Sequence, residues 1–252
     1  AIVEMGANHL GEIALLSSIA NPTHGFITNI GKAHIGTYGG LDNIIRGKSE
    51  LYQHLVMNNG TVFINSKNPI LSNMAKRFRS PIFYPAAGDY YSCELLESDP
   101  FLKIKVENGD IIQTQILGAY NFENIAVALC IGKYFEIDST LAHQAVAAYV
   151  PGNMRSQILK KGNNTVILDA YNANPSSMQA AVENLSSMKA ARKVAILGDM
   201  FELEEEAVNE HRSLGLLLKK NKFDRVYLCG KLMRSAKEEF PEALLFESKD
   251  LL

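Results

Sequence analysis

Long hydrophobic runs are absent from this sequence of 252 residues. No apolar stretch approaches the roughly 20 residues that a membrane-spanning helix needs, and we expect no secretory signal peptide. We therefore expect no membrane insertion and a cytoplasmic location. Charge of one sign is also lacking: the formal net charge is −2, which gives no reason to expect a nucleic-acid partner.

Cysteine is scarce as well. Cys93, Cys130 and Cys229 lie far apart, are odd in number and lack metal-ligand spacing. This pattern predicts reduced thiols and excludes a disulfide framework. With 47% apolar and 21% charged residues, the composition is that of an ordinary globular protein with one large domain or two smaller ones.

A complete phosphate-binding P-loop is missing. Gly47-Lys48-Ser49 has the end of that motif, but Asp42 stands where the motif needs its first glycine. A P-loop also follows a buried strand and opens a helix, whereas residues 41–57 already have a helical pattern. We interpret Gly47-Lys48-Ser49 as the interior of a helix.

The sequence predicts an α/β fold. Before residue 150 we expect strands, mostly in a parallel sheet, and then an antiparallel insert whose Asn108-Gly109-Asp110 is a hairpin turn. After Asn164, strands and helices alternate, which predicts a parallel, Rossmann-like sheet. Val150-Pro151-Gly152 is a Pro-Gly break, so we predict domains at 1–150 and 151–252. The predicted strands are 1–5, 24–30, 60–66, 93–98, 101–108, 111–117, 165–171, 193–199, 225–230 and 243–248, and the predicted helices are 12–19, 41–57, 121–135, one from 175, 204–220 and one from 231.

Both ends of the chain have an abrupt pattern. Residues 1–5 read as a buried strand with nothing before it, and Leu251-Leu252 ends without a tail. We expect a piece of a longer protein, cut upstream and also downstream.

Polar residues follow four of the predicted strands, where open α/β sheets bind their ligands. They are Glu4, Asn8 and His9; Asn29, Lys32 and His34; Asp169, Tyr171 and Asn172; and Gly198 and Asp199. Any one of these groups is explained by the polarity of ordinary loops. The four together favour a binding site.

Lys48 lies in the middle of the apolar face of the predicted helix 41–57, between Ile44 and Leu51. One interpretation is a lysine whose stem is buried and whose ammonium reaches water. The other is a lysine that loses its charge on burial and forms a carbamate with carbon dioxide, giving an oxygen ligand for Mg²⁺. Glu4 and His34 are candidates for the remaining ligands.

A capped helix is predicted after the strand at 165–171. Asn174 is a suitable N-cap and Pro175 a suitable first residue, so the helix N-terminus is a candidate anion site. A purely structural cap explains these two residues equally well. It does not explain Asp169, Tyr171 and Asn172.

Taken together, these motifs resemble those of the Mur ligase family. The similar segments run along nearly the whole chain. Two positions depart from the family pattern. Where the family usually has His-Asn, this chain has Tyr120-Asn121, and where the family has Pro-Gly-Arg, this chain has Pro-Gly-Asn-Met-Arg, which ends at Arg155. The segments are EMGANHLGEI from Glu4, TNIGKAHI from Thr28, RGKSELY from Arg46, GAYNFENIAVAL from Gly118, DAYNANPSSMQAA from Asp169 and GDMFEL from Gly198.

The resemblance implies a central ATP-binding domain that has lost its P-loop, over residues 1–150, and a C-terminal ligase domain over 151–252. It implies that Glu4, His34 and a carbamylated Lys48 hold Mg²⁺ and take part in catalysis. It implies nucleotide contacts from Asn121, Arg155, Asp169 and Tyr171.

The implied reaction is ATP-dependent amide-bond formation through an acyl phosphate, joining D-alanyl-D-alanine to UDP-N-acetylmuramoyl-tripeptide for peptidoglycan. We expect this chain alone to be inactive. The alternatives are another Mur-type or folylpolyglutamate-type ligase, or a non-catalytic nucleotide-binding module.

Overall fold

The computed structural model describes residues 1–32 and 34–251, which divide into two compact units. The first unit comprises Ala1–Gly31 and Gly40–Val150. The second begins again at Pro151 and also includes Lys32–Gly39. We call Lys32 and His34–Gly39 the 32–39 segment. Nothing in the sequence pattern assigns this segment to the second unit.

The described residues form nine α-helices and eleven strands. The helices are α1 (Glu12–Ala20), α2 (Ile35–Tyr38), α3 (Leu41–Met57), α4 (Pro69–Met74), α5 (Phe122–Tyr134), α6 (Ser139–Ala148), α7 (Pro175–Ser187), α8 (Ala207–Lys220) and α9 (Arg234–Glu239). The strands are β1 (His24–Phe26), β2 (Thr61–Asn65), β3 (Ile82–Tyr84), β4 (Cys93–Glu97), β5 (Phe101–Val106), β6 (Ile111–Leu117), β7 (Gln157–Lys161), β8 (Asn164–Leu168), β9 (Val194–Gly198), β10 (Arg225–Cys229) and β11 (Leu244–Phe246).

The first unit combines a parallel sheet, in the order β1-β2-β3, with an antiparallel sheet, β4-β5-β6. The predicted antiparallel insert is therefore confirmed. One core lies between the insert and α5, and a second lies between α3, β2 and α4. In the first of these cores, burial raises the pKa of the Cys93 and Cys130 thiols to about 12, which keeps them protonated.

The prediction of a buried strand at residues 1–5 is wrong. The segment has no regular structure, and Ile2 and Val3 are 98% and 59% exposed. A strand needs a neighbour for its backbone hydrogen bonds, and within the described residues β1 pairs only with β2. An apolar sequence alone therefore does not produce a strand here.

The second unit has a parallel sheet in the order β11-β10-β9, with α7, α8 and α9 contributing to its core. The predicted parallel, Rossmann-like arrangement is confirmed for these three strands. The helix predicted at 204–220 begins with a 3₁₀ turn at Glu204–Glu206 before α8, and the one predicted from 231 begins at Arg234.

The prediction that residues 165–171 join the parallel sheet is wrong. They contribute β8, which pairs antiparallel with β7 in a two-stranded hairpin. The two strands are joined by Gly162-Asn163, because Lys161 pairs with Asn164. Gly162 has a φ of +57°, a conformation that favours glycine in tight turns. This Gly-Asn signal was present in the sequence and would have predicted β7.

Within residues 1–32 and 34–251, no helix combines the length and the apolar character required to cross a membrane.

Candidate functional site

Lys48 lies inside α3, which confirms that Gly47-Lys48-Ser49 is not a P-loop. Ile44 and Leu55 on the same face are fully buried, and Lys48 itself is half-buried. Its Nζ donates a hydrogen bond of 2.8 Å to the carbonyl oxygen of Asn29. No carboxylate among the described residues forms an ion pair with it. Burial without a counter-charge lowers the pKa of the Lys48 amine below its usual range.

The polar residues before α1 form a turn rather than an open cluster. The backbone N–H groups of Asn8 and His9 donate to Glu12 Oε2 at 2.7 and 3.1 Å, and His9 Nδ1 lies 3.1 Å from Glu12 Oε1. These hydrogen bonds lower the pKa of the exposed Glu12 carboxyl, and the hydrogen bond from the Asn8 backbone contributes most. Glu4 precedes this turn and is exposed.

The start of α1 is held by Glu50. Its two carboxylate oxygens accept from the backbone N–H groups of Gly11 and Ala14, at 2.8 and 2.9 Å. A carboxylate at a helix N-terminus satisfies otherwise unpaired donors and complements the helix dipole. The wheel of residues 41–57 places Glu50 opposite the apolar face, but this side chain ties α3 to α1.

His34 belongs to the second unit and hydrogen-bonds through Nδ1 to Glu202 Oε2. Glu4 and Lys48 belong to the first unit, so the predicted Mg²⁺ ligands are drawn from both. Among the described residues, no three His, Cys, Asp or Glu side chains lie where they could hold a metal ion together. Within either unit, the described residues supply no ready-made cluster of carboxylate and imidazole ligands, although the half-buried Lys48 amine has the chemistry that carbamylation needs.

Arg155, Asp169 and Tyr171 come together at one end of the β7–β8 hairpin. The Arg155 guanidinium lies over the Tyr171 ring, 4.0 Å from its centroid, and Asp169 Oδ1 accepts from the backbone N–H of Ser156 at 3.3 Å. Arg155 and Asp169 are exposed, and Tyr171 is 63% exposed. An exposed cation, carboxylate and ring in one place can contact a planar or phosphorylated ligand.

Asn121 lies at the start of α5 and is already engaged within the first unit. Its Nδ2 donates to the Leu117 carbonyl at 2.8 Å, and its Oδ1 accepts from Asn124 Nδ2 at 3.1 Å. An amide nitrogen carries two hydrogens. One donor therefore stays in principle for a ligand such as adenine.

The start of α7 is a capping box. Asn174 Oδ1 accepts from the Ser177 N–H at 3.0 Å, and Ser177 Oγ accepts from the Asn174 N–H at 3.1 Å. The structural interpretation of Asn174 and Pro175 is thus sufficient, and the helix start by itself does not reveal an anion site. A cleft of about 380 Å³ lies next to it, between α7 and α8, with Lys32 and Glu210 at its border.

Asp199 also has a structural explanation. Its Oδ1 accepts from the backbone N–H of Met233 at 3.0 Å. A Cβ atom at Gly230, whose φ is +123°, would lie 2.3 Å from the Asp199 carboxyl carbon. Asp199 therefore fastens the end of β9 to the loop before α9.

Family models match both units. Residues 1–132 match the Mur ligase middle domain, and residues 154–248 match the Mur ligase, glutamate ligase domain. The chain belongs to the Mur ligase family.

Individual relatives in this family cover the chain almost completely. The UDP-N-acetylmuramoyl-tripeptide–D-alanyl-D-alanine ligase of Bacillus subtilis is 32% identical over 237 residues, which are 92% of this chain and 51% of that protein. The ligase of the same name from Mycobacterium tuberculosis H37Rv is 32% identical over 246 residues, 91% of this chain and 48% of that protein. The chain spans about half the length of the curated relatives it matches.

A crystal structure of MurF from Acinetobacter baumannii has the same fold as this Mur ligase chain. It superposes with a TM-score of 0.86 at 28% identity and covers 98% of this chain and 55% of that one. The α/β fold class predicted from the sequence is thus confirmed.

The sequence interpretation missed three carboxylates that hold candidate site residues or their neighbouring helices in place, one in the first unit and two in the second. Glu202 contacts His34, Glu210 pairs with Lys32, and Glu50 caps α1. Each contact joins residues far apart in the chain, so no local spacing reveals it. The GDMFEL motif includes Glu202 and the RGKSELY motif includes Glu50, but neither motif reveals the partner of its carboxylate.

Proposed function

We propose that the protein containing this chain is an ATP-dependent ligase that joins D-alanyl-D-alanine to UDP-N-acetylmuramoyl-tripeptide in peptidoglycan precursor synthesis. The observation that carries the proposal is the 32% identity, over 92% of the chain, to a Bacillus subtilis ligase of that name. The alternatives of a folylpolyglutamate-type ligase or a non-catalytic module have no comparable support. A cytoplasmic location stays a prediction.

The proposed reaction has two steps, phosphoryl transfer to the carboxylate and then amide formation. An oxygen of the tripeptide carboxylate attacks the γ-phosphorus of ATP, the bond to the β-phosphate oxygen breaks, and ADP leaves behind an acyl phosphate. The amine of D-alanyl-D-alanine then attacks the acyl carbon, the acyl–phosphate bond breaks, and the nitrogen loses a proton as the amide forms. Exclusion of water protects the acyl phosphate between the steps.

Residues of the second unit are proposed to bind the nucleotide. The support is the exposed group of Arg155, Asp169 and Tyr171, with the guanidinium already stacked on the ring at 4.0 Å. A carboxylate such as Asp169 accepts hydrogen bonds from ribose hydroxyls, and an arginine pairs with phosphate. Asn121 is proposed to contact adenine through its remaining N–H.

Mg²⁺ and a carbamylated Lys48 are the finer part of this proposal. Mg²⁺ would neutralise the crowded phosphates, and Glu4, His34 and carbamylated Lys48 are its proposed ligands. The support for Lys48 is its half-buried amine with a lowered pKa, because only a neutral amine adds to carbon dioxide.

Phosphate release by the full-length protein, meaning this chain with whatever precedes and follows it in its gene, tests the proposal. We expect release to require ATP, UDP-N-acetylmuramoyl-tripeptide and D-alanyl-D-alanine together. Absence of release with all three, or equal release when glutamate replaces the dipeptide, would contradict it.

Nucleotide affinity tests the proposed role of Asp169. Asp169→Ala removes a charged acceptor, a loss of about 1.5–3 kcal/mol or roughly 10- to 100-fold in affinity. Asn163→Ala, an exposed change at the other end of the same hairpin, is the matched control. If both variants bind ATP like the wild type, Asp169 does not contact the nucleotide.

A further inference from the structure

A cavity of about 250 Å³ lies in the first unit, near the C-terminal end of α5. Its walls come from the turn after β5, the last turns of α5 and the first turns of α6. None of the candidate site residues of that unit, which are Glu4, Lys48 and Asn121, lines it. Asn121 lies at the opposite end of α5 from Lys133, about 18 Å away along the helix axis. The cavity is therefore separate from the candidate site residues of the first unit.

Tyr91 lines the buried end of this cavity. The residue is 4% exposed, and its shielded hydroxyl has no hydrogen-bond partner within residues 1–32 and 34–251. Burial raises the pKa of this hydroxyl above its ordinary value, so it keeps its proton and is available as a donor. Buried polar groups are nearly always hydrogen-bonded, because leaving one unpaired costs free energy. The Tyr91 hydroxyl thus calls for an acceptor that the described residues do not supply.

Two basic side chains at the cavity, Lys133 and His143, each lie beside a carboxylate. Lys133 Nζ donates to Glu107 Oε2 at 2.8 Å, and His143 Nδ1 lies 3.8 Å from Asp110 Oδ2. An anion would gain little here, because it would compete with carboxylates that are already in place, and a cation would be repelled by Lys133. The charges around the cavity therefore favour an uncharged occupant.

The size and the walls of the cavity favour an organic molecule over water. Leu129, Ile137 and Ala142 supply apolar surface, and Ile137 is 52% exposed, so a ligand can enter on that side. The volume would hold several waters, but each buried water typically needs about 2–4 polar partners, which apolar walls do not offer. An apolar cavity of roughly 150 Å³ already binds benzene. A small organic ligand therefore fits both the size and the lining.

We propose that this cavity binds a small uncharged organic molecule whose apolar ring or chain lies against Leu129, Ile137 and Ala142 and whose oxygen accepts a hydrogen bond from the Tyr91 hydroxyl. Scaled from benzene, the ligand has about ten non-hydrogen atoms. Binding removes apolar surface from water and supplies the missing acceptor. The proposal does not rest on the proposed ligase function, since none of its residues takes part in that reaction.

Methyl NMR of the full-length protein tests the site with benzamide as the probe. Benzamide has an apolar ring and a carbonyl acceptor, benzoate matches its shape but carries a charge, and toluene lacks the acceptor. We expect benzamide to shift the methyl signals of Leu129, Ile137 and Ala142 saturably, and benzoate and toluene to bind more weakly. The absence of a saturable shift, which would leave the cavity to water, would overturn the proposal, and so would benzoate binding as tight as that of benzamide.

Tyr91→Phe tests the hydroxyl itself, because it removes that group and keeps the ring. The benzamide affinity should fall about 2- to 10-fold, as expected for the loss of one hydrogen bond, while the toluene affinity stays the same. Tyr90→Phe makes the same change at a neighbouring tyrosine that is 40% exposed, and it should alter neither affinity. Equal benzamide affinities in Tyr91→Phe and the wild type would overturn the proposal.

Denaturant unfolding of the ligand-free protein tests the premise that the Tyr91 hydroxyl has no partner. Tyr91→Phe should be at least as stable as the wild type, because the variant buries no unpaired donor. A Tyr91→Phe protein with a clearly lower unfolding midpoint would show that the hydroxyl is already bonded, and this result would also overturn the proposal.

Discussion

Lys32 in the 32–39 segment of the second unit and Lys48 on the apolar face of α3 in the first unit differ in their electrostatic surroundings. Lys32 lies 2.6 Å from the Glu210 carboxylate, whose side chain is only 10% exposed, while half of the Lys32 side chain reaches solvent. Lys48 is half-buried, and within residues 1–32 and 34–251 its amine bonds only to the Asn29 carbonyl. Partial burial therefore does not determine what a lysine does, because the presence or absence of a counter-charge decides its chemistry.

This difference separates a structural cation from a candidate nucleophile. The Lys32 ammonium lies beside a carboxylate, and the pair holds the segment in place. An ammonium that loses water without gaining a counter-charge is destabilised, so its pKa falls and more of the neutral amine is present. We therefore expect changes at Lys48 to affect chemistry and changes at Lys32 and Gly36 in the 32–39 segment to affect stability.

The largest effect is expected from Lys48 variants of the full-length protein. Lys48→Ala removes the amine, and Lys48→Arg keeps a cation that cannot form a carbamate, so both should abolish ligation. Formate or acetate should partly restore the rate of the alanine variant, which has a cavity, and not that of the arginine variant. Near-normal ligation by Lys48→Arg would make Lys48 a lysine that merely reaches solvent.

Gly36→Ala should be the most destabilising change in the 32–39 segment. The new methyl group would lie 2.7 Å from the Leu203 backbone, which forces one of the two segments to move at a cost of about 1–3 kcal/mol. Gly152→Ala is the matched control, because no heavy atom lies within 4 Å of its Cβ position. Equal unfolding midpoints in denaturant for the two variants would show that the close approach is not maintained in solution.

Lys32→Ala should have a smaller effect on stability. It leaves the largely buried Glu210 carboxylate without its cation, and we expect a loss of about 1 kcal/mol because Lys32 is partly solvated. Glu210→Gln in the same background should recover part of the loss, since a neutral amide is easier to bury. Lys220→Ala, at the border of the same cleft, is the control, and a loss as large as that of Lys32→Ala would contradict a specific ion pair.

The smallest expected effect is a pH dependence of stability that comes from Lys48. Between its lowered folded pKa and the ordinary value of about 10.4, the unfolded amine binds more protons than the folded one. The unfolding free energy of the wild type should therefore rise with pH across this window. Lys48→Met lacks this contribution, so the stability difference between wild type and variant should change with pH there. A difference independent of pH would contradict the lowered pKa.

Sequence patterns predicted the elements whose causes are local. The bounds of α3 follow from its apolar face, and the β5–β6 hairpin follows from its Asn-Gly turn. The strand expected at residues 1–5 failed because pairing needs a neighbour, which no residue in those five supplies. The partners of His34, Lys32 and the start of α1 were not predicted, since each carboxylate reaches them from a distant part of the chain.

Titration of the Lys48 amine tests most directly whether burial without a carboxylate partner among the described residues lowers the pKa of this lysine. Carbon and nitrogen chemical shifts of lysine-labelled chain would be followed from neutral to strongly alkaline pH, with Lys48→Arg assigning the resonance. We expect a Lys48 pKa clearly below the ordinary value of about 10.4. A Lys48 amine that titrates at or above that value would contradict it.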